Sequence, residues 1–426
     1  MKLAIVVQRY GADISGGAEL HARYIAERLA KHADVEVLTT CARDYITWKN
    51  ELPAGEDTVN GIRVRRFPVS RPRRPDDFGR RSARVFEHRH SVREELGWLT
   101  SEGPTSPAMI RYIRRQRLAF DFFVFFSFRY YHAWHGIRAV PDKAVLVPTA
   151  ERDPAAGVSI FGPVLRGARA LMYNSLEERA MLDAVSGRRG PGVVVGVGSD
   201  VPPRTDPQRF RRKYRLRRPF SVYIGRIDEN KGCRELFDYF PRYAARYPRG
   251  LDLVLIGSRH LEIPDHPRVR HLGYLPDQDK YDALAAADLL IMPSPFESLS
   301  MVALEAWAMG KPVLANGRCD VLRGQCVRSR GGLYYETFDE FAEAMYMLEG
   351  SGPVGAFLGR SGRDFYRRHY AWPVIERKYL DMFQRLSREP PAGGIEPLPG
   401  FFARHAHNLP PARDVVDAAP KGPVLG

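Results

Sequence analysis

Short apolar runs that end in a loop, often at glycine, and lead into a helix recur through this chain, and no other feature constrains its fold as strongly. Residues 2–7 read as a buried strand, 11–17 as a loop with Gly16-Gly17, and 18–31 as a helix with Leu20, Tyr24, Ile25 and Leu29 on one face. Strand character follows at 35–39, 122–126, 145–147, 170–173 and 193–197. A second series starts at Pro219: strand 220–224 ends at Gly225, helix 232–247 follows, and strand 251–256 ends at Gly257. Strands at 269–272, 289–292 and 312–315, with helices at 278–287 and 301–309, continue the alternation. Strands that alternate with helices build parallel sheets covered on both faces. The expected fold is α/β, with two doubly wound domains facing each other across a cleft.

The expected boundaries are 1–197 for the first domain, with an insertion at about 70–117, and 198–388 for the second, including a helical stretch at 366–386. The tail 389–426 holds eight prolines in 38 residues and reads as disordered. Open α/β sheets bind ligands beyond the carboxyl ends of their strands, so the loops after those strands are where chemistry is sought.

Charge narrows the partners. The 65 Lys and Arg exceed the 50 Asp and Glu by 15, an excess that points to phosphates, an anionic membrane or nucleic acid. It is concentrated: residues 63–117 carry 15 Arg against six acids, and 204–218 carry eight basic residues against Asp206. Arg interleaved with Phe67, Phe78, Phe86 and Trp98 marks the insertion as a candidate surface for an anionic leaflet. No base-reading or stacking module accompanies the charge, so nucleic acid is not an expected partner. Four scattered cysteines make neither a disulfide framework nor a zinc site. No apolar run reaches the length of a membrane span. A cytoplasmic protein, peripheral at most to the inner face of the membrane, is expected.

Three loops can do chemistry. In Pro293-Ser-Pro-Phe-Glu297-Ser298-Leu299-Ser300-Met301, a strand ends, Glu297 sits in the loop, and a helix starts at about 298–300. Its N–H groups suit a diphosphate, and Glu305, deeper in the helix, can accept hydrogen bonds from a ribose diol. Gly225-Arg226-Ile-Asp-Glu-Asn-Lys231-Gly232 follows another strand. Arg226 and Lys231 straddle that turn, and two fixed cations can stabilise charge on a departing diphosphate without a metal ion. Gly16 and Gly17 allow close backbone approach to a ligand. Asp277-Gln-Asp279 spells a metal-binding D-x-D, but its place at a helix start reads as capping.

Together, Gly-Gly, G-R-x4-K-G, G-Y-L (Gly273, Tyr274, Leu275), A-A-D and P-S-x-x-E-x7-E-A resemble the family-4 retaining glycosyltransferases with the GT-B fold of two Rossmann-like domains. The resemblance runs over about 1–388 and is strongest at 219–336. It implies metal-independent, retaining transfer from a nucleotide diphosphate sugar, UDP- or GDP-linked, to a glycan, lipid-linked or small-molecule acceptor. Catalytic residues would be Arg226, Lys231 and Glu297. The donor would lie on Gly16, Gly17, Gly225, the backbone of Tyr274 and Leu275, residues Ser298, Leu299, Ser300 and Met301, and Glu305 at the ribose.

Two departures stand out. Ser298-Leu299-Ser300 replaces the family's Gly-Phe-Gly, a change that hydroxyl caps accommodate. Glu151-Arg152-Asp153 stands where relatives carry a His-Asp-Glu-like segment, leaving His132, His135 and Glu151 as candidates for the acceptor side. The same departure supports an alternative, a catalytically reduced homologue serving as a nucleotide-binding partner subunit.

Overall fold

A computed structural model of the chain describes every residue except 15, 350–351, 392–393, 399–408 and 423–426. It divides into two compact units, Met1–Val197 with Glu376–Lys421, and Gly198–Ile375.

The first unit is built on an eight-stranded sheet of order β3-β4-β2-β1-β5-β6-β7-β8. Its strands are β1 (Lys2–Val6), β2 (Asp34–Thr40), β3 (Gly55–Val59), β4 (Ile62–Phe67), β5 (Phe122–Phe126), β6 (Ala144–Val147), β7 (Ala170–Tyr173) and β8 (Gly192–Val194). All pair in parallel except β3, which runs antiparallel to β4. The hairpin of β3 and β4 was not anticipated. Residues 55–59, Gly-Glu-Asp-Thr-Val, are polar because β3 is an edge strand whose side chains meet water.

The stretch expected as an inserted basic surface is instead part of the core. Helices Pro75–Glu87, Val92–Glu102 and Pro107–Arg115 send Val85, Trp98, Leu99, Met109 and Ile113 into the same apolar cluster as Phe123 and Phe125 of β5. Eight of the fifteen arginines between 63 and 117 have carboxylate partners, among them Arg66 with Asp57 at 2.9 Å and Arg73 with Glu102 at 2.7 Å. Much of the charge excess there is therefore spent internally.

The second unit carries six parallel strands: β9 (Phe220–Ile224), β10 (Asp252–Ile256), β11 (Val269–His271), β12 (Leu289–Met292), β13 (Val313–Asn316) and β14 (Gly332–Tyr335). Their order, β11-β10-β9-β12-β13-β14, reverses direction between β9 and β12, which makes that gap the switch point where doubly wound sheets bind ligands. Apolar runs such as Leu289-Leu-Ile-Met292 are buried throughout because helices cover both faces.

Two expectations about the chain's end need correction. Helix Trp372–Arg388 starts in the second unit, but from Glu376 onward it belongs to the first. There Tyr379 and Phe383 are buried, and Phe383 stacks on Phe122 of β5 at 5.3 Å. The tail after 388 is not uniformly unstructured: Leu398 is buried, and a helix forms at Ala412–Ala418. Residues 392–393, 399–408 and 423–426 of that tail lie outside the described residues.

His132, offered as an acceptor contact, is a core histidine. It is fully buried, its Nε2 sits 2.9 Å from the Phe126 carbonyl oxygen, and its Nδ1 has no hydrogen-bond partner among the described residues. Burial lowers its pKa to about 4, opposed in part by that carbonyl. The unfolded chain thus takes up this proton before the folded one does. Its contribution to stability is complete above pH 6.5 and is lost as pH falls towards 4. His132→Gln removes this titration. Urea denaturation at pH 4.5–6 should show its stability falling less steeply than wild type, by about 1.4 kcal/mol per pH unit; parallel slopes would contradict the assignment.

Candidate functional site

The loops beyond β9, β10 and β11 are bound to one another by backbone hydrogen bonds. Gly225 N–H donates to the Ile256 carbonyl at 2.9 Å, Ile227 N–H to Ser258 at 2.9 Å, and Gly257 N–H to Gly273 at 2.8 Å. Such close loop contact needs residues without side chains. A Cβ on Gly257, at φ +137°, would lie 1.9 Å from the Gly225 oxygen, and one on Gly232, at φ +71°, 2.0 Å from the Pro293 oxygen. The glycines ending these strands thus let the loops converge beside the switch point.

On that floor stand the charged residues expected from the sequence. Asp228 accepts from the Lys231 backbone N–H at 2.9 Å and turns the chain into helix Cys233–Arg246. The Lys231 ammonium then reaches Glu297 Oε1 at 2.8 Å. Lys231 follows β9 and Glu297 follows β12, so this ion pair bridges the two strands flanking the switch point. Arg226 lies in the same loop, 43% exposed, with Asp228 at 3.4 Å. Each of the two cations thus has a carboxylate beside it, Asp228 for Arg226 and Glu297 for Lys231.

Helix Met301–Ala308 begins at Ser300, whose backbone is left-handed at φ +64° and whose hydroxyl accepts from Ala303 N–H at 3.3 Å. That hydroxyl is committed to capping the helix. Leu299 is buried beneath the turn, Ser298 and Met301 are partly exposed, and Phe296 is exposed. The start of this helix, with its outward N–H groups, can hold an anion.

Glu305 is 2% exposed. Its Oε1 takes Lys280 at 2.9 Å and the Tyr281 hydroxyl at 3.1 Å, while Oε2 is buried without a hydrogen-bond partner among the described residues. Burial opposes the charge on Lys280, but the neighbouring Glu305 carboxylate outweighs it and raises the pKa. Lys280 and Tyr281 were missed in the sequence, where they sit behind the more conspicuous Asp277-Gln-Asp279. Asp279 does not cap the helix, which starts after Pro276; it accepts from Lys213 and Tyr214 and pairs with Arg209. Tyr274 is 77% exposed and Leu275 is buried next to it. No cluster of metal-ligating side chains occurs among the described residues.

Residues 218–349, which contain Arg226, Lys231, Glu297 and Glu305, match the family model of the glycosyl transferases group 1. The chain carries a group 1 glycosyl transferase domain. It is similar to the D-inositol 3-phosphate glycosyltransferase of Corynebacterium urealyticum, 23% identical over 93% of this chain and 97% of that one. Its fold is that of sucrose-phosphate synthase from Thermosynechococcus elongatus, with a TM-score of 0.67, 16% identity and coverage of 91% and 99% of the two chains. It is also that of Anabaena HepE in complex with UDP-glucose, with a TM-score of 0.64, 16% identity and coverage of 90% and 100%. The fold is GT-B, and the protein is a glycosyltransferase.

The remaining candidates of this glycosyltransferase lie in the first unit. Gly16, at φ +152°, precedes helix Gly17–Leu29; a Cβ there would meet Glu19 Oε2 at 2.3 Å, whereas Gly17 has open space around its Cα. Glu19 forms a buried ion pair with Arg9 at 2.6 Å. His135 packs between Tyr131 and Trp134, ring centroids 4.1 and 4.6 Å away, and burial together with Arg138 and Arg114 lowers its pKa to about 4. Glu151 is partly exposed in the loop after β6. Two further residues, Ser127 after β5 and Thr149 after β6, hold left-handed backbones at φ +65° and +48°, with hydroxyls 2.8 Å apart. Strain of this kind concentrates at functional sites, and no sequence motif marks it.

Proposed function

We propose that the second unit binds a nucleotide diphosphate sugar, UDP-linked by preference, and that the enzyme transfers the sugar to an acceptor hydroxyl with retention and without a metal ion. The Lys231–Glu297 ion pair across the switch point carries this reading. It sets a cation for the diphosphate beside a carboxylate for the donor sugar, with Arg226 and the helix start at 298–301 supplying further positive potential. Glu305 Oε2, buried and unpartnered among the described residues, supports ribose recognition. Tyr274 and Leu275 would border the base, and Gly16, Gly17 and Gly225 would allow close backbone approach. The first unit would hold the acceptor, through the loops of Ser127 and Thr149 and with Glu151 nearby. Uracil as the base agrees with the UDP-glucose complex of HepE.

The reaction is tested by incubating the full chain with UDP-glucose and with GDP-mannose and following nucleoside diphosphate release and the anomeric proton by NMR. Retention predicts that the first-formed sugar product keeps the donor's α configuration. A β product would refute retention. Nucleotide binding with no sugar release from either donor would favour the catalytically reduced partner subunit.

No helix among the described residues is long and apolar enough to cross a membrane. Helix Pro107–Arg115 buries Met109, Ile110 and Ile113 and exposes Arg111, Arg114 and Arg115, with Leu118 beyond it 92% exposed. We propose this face as a peripheral contact with anionic lipid. Vesicles with 30 mol% phosphatidylglycerol should co-sediment the protein at least threefold better than neutral ones, and the triple alanine variant should lose that preference. Equal sedimentation would refute it.

A further inference from the structure

The Pro-rich tail returns to the first unit and closes on a single loop. Arg169 donates to the carbonyl oxygens of Leu386 and Pro390 at 2.7 and 2.6 Å, which fixes the chain as it leaves helix Trp372–Arg388. Arg166 and Glu396 pair at 2.6 Å. Ala412, Val416 and Ala419 are then buried in the first unit's core together with Ala155, Ala156 and Val158. The contact is tight, since a Cβ on Gly157 would lie 2.3 Å from the Ala412 oxygen.

The loop under this segment is the one after β6, residues 150–157. Arg152 donates to the Ala419, Asp417 and Pro420 carbonyls at 2.8, 3.3 and 3.5 Å, capping the carboxyl end of helix Ala412–Ala418. Its neighbour Asp153 faces the other way. One carboxylate oxygen accepts from Ala155 N–H at 2.9 Å and the other pairs with Arg129 at 2.8 Å, and Arg129 in turn holds Glu102 at 2.7 Å. On the near side, Ala150 N–H donates to Glu178 at 2.6 Å. Glu151 therefore sits in a loop held from both sides, and one of those sides is the tail.

We propose that residues 410–420 are a strap that orders loop 150–157 for acceptor binding, with Arg152 as the positioning residue. This rests on the reading of the first unit as the acceptor side. Arg152 is turned to the tail and Asp153 to Arg129, which fixes the backbone next to Glu151. Removing the strap loosens the loop and leaves the second unit untouched.

The test uses the full chain and the variants Arg152→Ala, Arg152→Lys and Gly157→Leu, the last displacing the helix while Arg152 remains. Amide exchange at 150–158, UDP affinity, and KM for D-inositol 3-phosphate and D-glucose 6-phosphate as acceptor probes are measured. Exchange should rise at least tenfold in Arg152→Ala and Gly157→Leu, with UDP affinity within twofold of wild type. The acceptor KM should rise about tenfold with kcat little changed, and Arg152→Lys should recover most of both. Unchanged exchange at 150–158 in the two disrupting variants overturns the strap. A raised exchange with an unmoved acceptor KM overturns its role in acceptor binding. A wild-type chain that fails to bind UDP counts against the donor reading alone, because the exchange measurement stands without it.

Discussion

Replacing Lys231 by alanine should lower sugar release from the donor about 10²–10³-fold while leaving the protein folded. The two effects separate because they have different physical origins. As a contribution to stability, the Lys231–Glu297 pair is partly exposed, with the two side chains at 26% and 12%, and such pairs are worth about 0–1 kcal/mol. As a contribution to the reaction, the ammonium is a fixed charge beside the switch point, in place before negative charge builds on the leaving diphosphate. Removing one preorganised donor of this kind typically costs about 3–4 kcal/mol in the transition state. Initial rates of diphosphate release, measured beside thermal denaturation, check both halves. A variant with wild-type turnover would remove Lys231 from the chemistry. One that loses activity only in proportion to lost folded protein would make it structural.

The second large effect is expected at Glu305. Alanine there leaves the largely buried Lys280 without its counter-charge and the Tyr281 hydroxyl without its acceptor. Breaking a buried pair by removing one member costs about 3–5 kcal/mol, which in a unit of this size lowers the melting temperature by roughly 10 °C. Glu305→Gln keeps the volume and an oxygen for Lys280, so it should lose much less stability. On the proposed reading it still weakens nucleotide binding, because the buried carboxylate atom aimed at the ribose diol no longer carries its charge. Scanning calorimetry of the two variants, with and without UDP, distinguishes the roles. Equal destabilisation by alanine and glutamine would contradict the ion-pair account.

What was legible in the sequence followed from local periodicity. The apolar runs ending at Gly225 and Gly257 are strands whose loops must approach closely, and the spacing between Glu297 and Glu305 places one in a loop and the other in a helix. Contacts between distant segments were not legible. Lys231 meets Glu297 across 66 residues and Lys280 meets Glu305 across 25, pairings set by strand order and not by spacing. Edge strand β3 escaped notice because exposure made it polar. The helices at 75–115 read as surface because arginine dominates their composition, although Trp98, Met109 and Ile113 pack inward. The tail reads as disordered from its prolines, yet Ala412, Val416 and Ala419 pack into the first unit's core and Arg152 holds its last helix. His132 illustrates the converse: a histidine after a strand invites a catalytic reading, and only its burial shows that it serves the core.

The central claim, that the second unit recognises the diphosphate of a nucleotide through its own cations, is tested most directly by calorimetric titration. UDP and uridine are titrated into the full chain with and without a chelator. The account predicts that UDP binds at least a hundredfold more tightly than uridine, with the same affinity in the presence of the chelator. Equal affinities for UDP and uridine, or UDP binding abolished by the chelator, would contradict it.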